Sequence, residues 1–244
     1  MKIGFFDSGV GGLTLVSELL KIENNLSFYY VGDNEHCPYG NKSESEIKER
    51  IERIIKFLLK NDCEIIIIAC NTASIIAEKY NLLNENVIGI SQLIKNEINK
   101  IDNFVIYGTK STIKSNFYKI SKKKMKQISS KKLAKLIETE TDLENNIKIV
   151  REIKRDIKNI EKKMNKLVLC CTHYPIVKNL ISKVFQGEII DYNPIIANKI
   201  LKIILTFKEK IILKEKKIYF TKSKSVYDSL FIRQIMVEAQ LLKL

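Results

Sequence analysis

Two cysteines, Cys70 and Cys171, each end a short apolar run and are followed by small hydrogen-bonding residues: Asn71 and Thr72 after the first, Thr172 and His173 after the second. A residue between a buried strand and a helix start sits where backbone N–H groups and the helix dipole favour an anion. Each thiol is therefore expected to have a lowered pKa. Two such groups on opposite faces of one bound carbon suit the inversion of a stereocentre. One thiolate removes a proton from one face, and the other thiol returns a proton to the opposite face. Nothing is oxidised, and no cofactor is needed. Asp7, at the end of the first apolar run, and His173 are the candidate proton partners of the thiols. For a single cysteine a core role is the commoner one. That reading is kept for Cys63, in a core pattern, and for Cys37, in a loop; Cys170 is expected to point into the fold.

These side chains need a frame. The apolar runs Ile3–Phe6, Phe28–Val31, Ile65–Ala69 and Val87–Ile90 are short, β-branched and without alternation, as buried parallel strands are. Helical patterns lie between them. One covers Leu13–Ile22. Another covers Ser43–Leu59, with Ile47, Ile51, Ile54, Ile55 and Leu58 on one face and Ser43 with Glu46 as a start signal. The scheme returns in Phe104–Tyr107, a weaker strand near Lys126–Ser129, Leu167–Leu169 and Glu188–Ile190. Ser8 and Thr109, Cys70 and Cys171, and Ile88 and Ile189 are each 101 residues apart. Alternating strands and helices with such an offset predict an α/β fold. Its expected form is two pseudo-symmetric α/β lobes with mostly parallel sheets and the active site in the cleft between them. Ligands bind beyond the carboxyl ends of strands in such folds. The charged segment Lys132–Lys166 reads as surface helices of the second lobe. Ile218–Thr221 reads as a strand, followed by a helix from about Ser225. The expected division is 1–92 plus 205–244 for the first lobe and 93–204 for the second.

Six of the nine glycines fall in the first 40 residues, and Gly9, Gly11 and Gly12 follow the first strand directly. Their backbone N–H groups could hold a phosphate or a carboxylate, or the loop could be a plain tight turn. Neither GxGxxG nor GxxxxGK[ST] is present, so the phosphate reading is weak.

Composition narrows the class. Hydrophobic residues make up 45% and charged residues 29% of the 244, enough for a folded core. No apolar run approaches the ~18 residues of a membrane span, and MKIGFFDSGVGG has no signal-peptide pattern, so a cytoplasmic protein without a membrane role is expected. The net charge of +14 invites a nucleic-acid reading. Yet 37 of the 42 basic residues are Lys, and Lys, Ile and Asn make up 98 residues spread along the chain. A drift in composition explains this, and nucleic acid is not the expected partner. Lys122, Lys123, Lys124 and Lys126 and the stretch Lys208–Lys217 are the residual candidates for polyanion contact. Five cysteines without a secretion signal imply free thiols. There is no CxxC pair and there are only two histidines, so no metal is expected, although His36–Cys37 and Cys171–His173 leave a mixed site open.

The motifs FDSGVGGL (Phe6–Leu13), VGDNEHCPYG (Val31–Gly40), ACNTAS (Ala69–Ser74) and CCTHYP (Cys170–Pro175) resemble, in order, those of the glutamate racemase family. GTKSTIKS (Gly108–Ser115) and the closing IYFT (Ile218–Thr221) extend the resemblance through nearly the whole chain. It implies a cofactor-independent enzyme that interconverts L- and D-glutamate and supplies D-glutamate for peptidoglycan, with a homodimer as the usual assembly. Cys70 and Cys171 match the catalytic cysteines, Cys70 as base toward the D-substrate and Cys171 toward the L-substrate. Asp7 and His173 match the residues that assist them. Asp7 and Ser8, Tyr39 and Gly40, Asn71 and Thr72, and Thr172 and His173 match the substrate-binding pairs, and Thr109 and Thr112 match a further hydroxyl pair. Glu138, in KLIETE, matches a cleft carboxylate through a looser alignment. Cys170 stands where a small residue is usual, Ser129–Leu136 replaces a more apolar stretch, and Asn34–Cys37 departs from the common small-and-basic loop. Two other readings compete: a sister isomerase for another acidic amino acid such as aspartate, and a racemase-like fold kept as a binding protein with a basic surface.

Overall fold

The computed structural model describes residues 1–161, 163–207, 215–222 and 239–243. Its strands form two sheets, and every recorded pairing is parallel. The first sheet contains β1 (Ile3–Asp7), β2 (Phe28–Gly32), β3 (Ile65–Ile68), β4 (Val87–Gly89), β9 (Lys216–Phe220) and β10 (Ala239–Leu241), in the order β10-β9-β2-β1-β3-β4. The second contains β5 (Phe104–Thr109), β6 (Met125–Ser130), β7 (Lys166–Cys170) and β8 (Glu188–Ile190), in the order β6-β5-β7-β8. The order β2-β1-β3-β4 is thus repeated as β6-β5-β7-β8. This is the structural content of the sequence offset: Cys70 follows β3 and Cys171 follows β7, at equivalent sheet positions.

The strands are where they are because they bury both faces. All four residues of β3 are isoleucine and all are fully buried. Such a strand has no solvent face and must be covered by helices on both sides. One core cluster joins residues of β1 with residues of β5 and β7, so packing continues from one sheet to the other. A second lies under α2 (Glu44–Lys60) and α3 (Asn71–Lys79). Helix α2 starts with a capping box: the Glu46 N–H donates to Ser43 Oγ at 3.3 Å, and the Ser43 N–H donates to the Glu46 carboxylate at 2.9 Å.

Three differences from the sequence reading have physical causes. The expected strand Val87–Ile90 ends one residue early, because α4 (Ile90–Ile98) starts at once and carries Ile90 inward. The segment read as surface helices forms α6 (Leu133–Thr139) and α7 (Ile147–Ile157), but α6 buries Leu133, Ala134, Ile137 and Glu138. The charge of the surrounding segment suggests a surface helix, yet the inner stripe of α6 faces the site. Helix α9 (Asn193–Thr206) packs on α1 (Leu13–Ile22) and α4 of the first sheet, and Asn193 Nδ2 donates to Thr14 Oγ1 at 2.9 Å. Strand β9 pairs with β2, so the chain returns to the first sheet. Residues 208–214 of the lysine stretch and the helix expected from Ser225 lie outside the described residues. Among the described residues no helix is long and apolar enough to cross a membrane.

The loop after β2 is anchored by charge. Arg50 of α2 donates to both oxygens of Asp33, at 2.9 and 3.0 Å, and Asp33 is fully buried. Tyr39 Oη and Thr221 Oγ1 donate to the same carboxylate at 2.6 and 2.8 Å. Burial alone would raise the Asp33 carboxyl, but the Arg50 guanidinium, with Tyr39 and Thr221, outweighs it and holds the group below its usual range. A depressed carboxylate stabilises the fold above its unfolded pKa, and that contribution is lost as pH falls through the folded value. Arg50→Ala leaves a buried carboxylate without its cation and should cost about 3–5 kcal/mol in urea unfolding at neutral pH. The difference between wild type and variant should hold from pH 7 down to about 4 and shrink below that as Asp33 protonates. A difference that is absent at pH 7 would remove this pair from the fold's support.

Candidate active site

The carboxyl ends of the two sheets meet around a small cavity. Ser8, after β1, and Cys70, Asn71 and Thr72, after β3, line it from the first sheet, with Tyr39 and Gly40 from the loop beyond β2. Thr109, at the end of β5, and Cys171, Thr172 and His173, after β7, line it from the second. Both cysteines are buried, each 5% exposed. The cavity measures only about 10 Å3, room for about one water.

Cys70 caps the start of α3, and its Sγ lies 3.6 Å from Ser8 Oγ. The expected lowering of this thiol does not occur. Burial, followed by the negative charge of Asp7, pushes Cys70 up to about 12, because desolvation outweighs what the helix start contributes. Cys171 precedes a short 3-10 turn, Tyr174–Val177, rather than the expected α-helix. Its local partner is the imidazole of His173, with Nδ1 3.8 Å from Sγ.

His173 is the centre of a buried relay. Its Nε2 is 2.6 Å from Glu138 Oε1, so Glu138, the least certain match in sequence, is in direct contact with the site. Burial opposes charge on the ring, but its contacts with Cys171, Cys37 and Glu138 outweigh that and hold His173 well above the ordinary imidazole range. Glu138 Oε1 also accepts the Val10 N–H at 2.8 Å. Asp7 accepts the Gly9 N–H at 3.0 Å and the Thr172 hydroxyl at 3.0 Å, which ties the first sheet to the second. Burial raises the Asp7 carboxyl despite the charge of His173 and these two donors.

These bonds answer the question left open by the glycine loop. Its Gly9 and Val10 N–H groups hold protein carboxylates, not phosphate. Gly11 is required by close approach: a Cβ there would stand 2.6 Å from Thr172 Oγ1 and 2.8 Å from the His173 nitrogen. The loop is bare so that the two strand ends can touch.

The three expected threonines form a hydroxyl triangle. Thr72 Oγ1 is 2.9 Å from Thr109 Oγ1 and 3.1 Å from Thr112 Oγ1, and Thr109 and Thr112 are 3.1 Å apart. Thr112, Asp7 and Glu138 stand behind the lining residues. Tyr39 lines the cavity but turns its hydroxyl away, to Asp33. Sequence reasoning missed Pro38 and Ala134, which also line it, and Tyr118, whose hydroxyl donates to Asn71 Oδ1. Pro38 lies inside a quoted motif, whereas Ala134 and Tyr118 carry no signal in the sequence. Cys37 lies beside the site, with its Sγ 3.9 Å from both Ser8 Oγ and His173 Nε2. Cys63 and Cys170 are buried and do not line the cavity.

The arrangement can hold a small polar molecule between two thiols with neutral hydroxyl and amide donors around it. It matches known proteins. A family described as Asp/Glu/Hydantoin racemase fits residues 22–200. A glutamate racemase of Fusobacterium nucleatum subsp. nucleatum is 36% identical over 202 residues, covering 78% of this chain and 76% of its own. A crystal structure of the glutamate racemase of Francisella tularensis subsp. tularensis in complex with D-glutamate superposes with a TM-score of 0.86 at 27% identity, covering 99% of this chain and 97% of its own. The aspartate racemase of Picrophilus torridus, at 19% identity and a TM-score of 0.61 over 82% of this chain and 93% of its own, shares the fold.

Because this protein has only two histidines, its imidazoles can be followed separately by NMR. Glu138→Gln removes the charge that favours the imidazolium, so the His173 titration should move down in pH. An unmoved His173 would show that Glu138 does not sustain its charge.

Proposed function

The chain belongs to the Asp/Glu/Hydantoin racemase family, and we propose that it interconverts L- and D-glutamate by a two-cysteine proton transfer and so supplies D-glutamate for peptidoglycan. One observation carries the reading: two buried thiols from equivalent strand ends line one small cavity. In this reading Cys171, as thiolate, removes the α-proton of L-glutamate, and the Cys70 thiol protonates the opposite face. From D-glutamate the roles exchange. Each turnover moves one proton from one thiol to the other by way of the substrate carbon, so no oxidant or metal enters the balance.

The surroundings suit this division. The Cys70 thiol keeps its proton at rest, the state needed to deliver one. The charged His173 ring, 3.8 Å from Cys171, is placed to stabilise that sulfur as thiolate. Asp7 assists on the Cys70 side, where its carboxylate is a source of negative potential. Ser8, Asn71, Thr72, Thr109, Thr112, Thr172, His173 and the Tyr39–Gly40 backbone are the proposed binders of the substrate's polar groups. Neutral donors orient a carboxylate without binding it as tightly as an Arg fork would. The α-proton is weakly acidic, so a dry enclosure is needed for a thiolate to act as base. A cavity of about 10 Å3 admits no amino acid, so the strand ends must part for entry and close again. The repeated strand order supports a division into lobes 1–92 with 205–244 and 93–204, with this cleft as the hinge. The cytoplasmic homodimer implied by the resemblance belongs to the same proposal.

The test is α-proton exchange in D2O with the reduced, cofactor-free protein. Deuterium uptake with inversion from both L- and D-glutamate is expected. Exchange with aspartate alone would move the substrate to the sister activity, and exchange with neither would favour a binding role. Cys70→Ser and Cys171→Ser should each lower racemisation by about 10^3-fold or more, whereas Cys170→Ala should retain most of it. Substantial activity in either serine variant would remove that cysteine from the mechanism.

A further inference from the structure

Cys37 is no proton carrier in the chemistry above, yet its thiol completes a cluster. Cys37 Sγ, Glu138 Oε1 and His173 Nε2 all lie within 4.8 Å of one another. The sulfur is 3.9 Å from the ring nitrogen, and the carboxylate oxygen is 2.6 Å from it. The three come from different places: the loop before Pro38, helix α6 and the turn after β7. Glu138 and His173 are buried, while Cys37 is half-buried. Gly9 makes room for the meeting, since a Cβ there would stand 2.0 Å from Glu138 Oε1 and 3.1 Å from Cys37 Sγ.

We propose that Cys37, Glu138 and His173 form an inhibitory binding site for a borderline-soft divalent cation, with Zn2+ as the fitting ion. One thiolate, one imidazole and one carboxylate are the donor types of tetrahedral zinc, with Zn–S near 2.3 Å and Zn–N and Zn–O near 2.0–2.2 Å. Two donors of such an ion stand roughly 3.3–3.6 Å apart. The sulfur and ring nitrogen are within about 0.6 Å of that spacing, and the carboxylate has to withdraw by roughly 0.7 Å from its hydrogen bond. The fourth position is left to water. Oxygen-seeking Mg2+ and Ca2+ have no matching donor set here.

The consequence for activity rests on the function proposed above. A metal on Nε2 displaces the proton shared with Glu138 and fixes the remaining ring proton on Nδ1, the nitrogen that faces Cys171. The ion also ties the loop before Pro38 to the turn after β7, two walls of the cavity that must part to admit a substrate, and holds them together. Binding releases the Cys37 thiol proton and any proton on Nε2 to solvent, and no other bond changes. A thiol with no part in proton transfer thus gives the site sensitivity to free zinc.

The test uses the reduced, metal-free protein titrated with Co2+, a spectroscopic stand-in for zinc, and then with Zn2+ in competition. One site with a thiolate-to-cobalt charge-transfer band is expected. Racemisation should fall by at least about tenfold as Zn2+ fills it, return on adding a chelator, and not respond to Mg2+. Cys37→Ser should lose the band and need at least about tenfold more Zn2+ for the same fractional inhibition. No cobalt–thiolate band in the wild type would overturn the proposal. So would a Cys37→Ser variant with the same band and the same zinc sensitivity, since the ion would then sit on Cys70 or Cys171. The band is read without substrate, so a failure of the racemase reading would leave the metal result intact.

Discussion

A buried carboxylate must be fully bonded or it destabilises the fold, and Glu138 meets that condition only when both sheets are in place. Its Oε1 takes the Val10 N–H from the loop after β1 and contacts Nε2 of His173 from the turn after β7. Asp7 imposes the same condition from the other direction through Gly9 and Thr172. Each bond needs the two strand ends in contact, and that contact needs a loop without side chains. The order of causes therefore runs from glycines to close approach, from close approach to buried carboxylates, and from those to a charged His173 beside Cys171.

The same enclosure decides the thiol chemistry. A helix start favours thiolate by a modest amount, but complete removal from water costs more, so Cys70 holds its proton. The two cysteines occupy equivalent sheet positions and still have different neighbours: Ser8 and Asp7 on one side, His173 and Glu138 on the other. Backbone symmetry aligns two sulfurs on one cavity, and broken side-chain symmetry suits one to the proposed role of acid and the other to that of base. A reaction that runs in both directions needs the first property and tolerates the second.

The loop holding Tyr39 and Gly40 depends on a separate anchor. Four donors, two from Arg50 and one each from Tyr39 and Thr221, converge on Asp33. Thr221 directly follows β9, so the return of the chain to the first sheet helps hold this wall of the cavity. The position of Cys37, between that loop and the His173 relay, follows from the anchor too.

Much of this was legible in sequence because local patterns report local needs. Unalternating isoleucine runs mark strands buried on both faces, Ser43 with Glu46 marks a helix start, and the 101-residue offset marks a repeated strand order. The motifs then locate nearly all the lining residues, since these lie within a few positions of strand ends. What was not legible depends on pairs distant in the chain. The charged segment that contains α6 reads as surface helix, and only packing turns Glu138 onto His173, 35 residues away. Tyr118 reaches Asn71 across 47 residues, and Cys37 reaches His173 across 136. The sequence by itself determined the two parallel sheets and the two thiols at their edges, because strand burial and strand ends are properties of short segments. Tertiary structure alone decided which carboxylate meets which imidazole and that Cys70 stays protonated, because desolvation and through-space contact arise only when the segments close on one another.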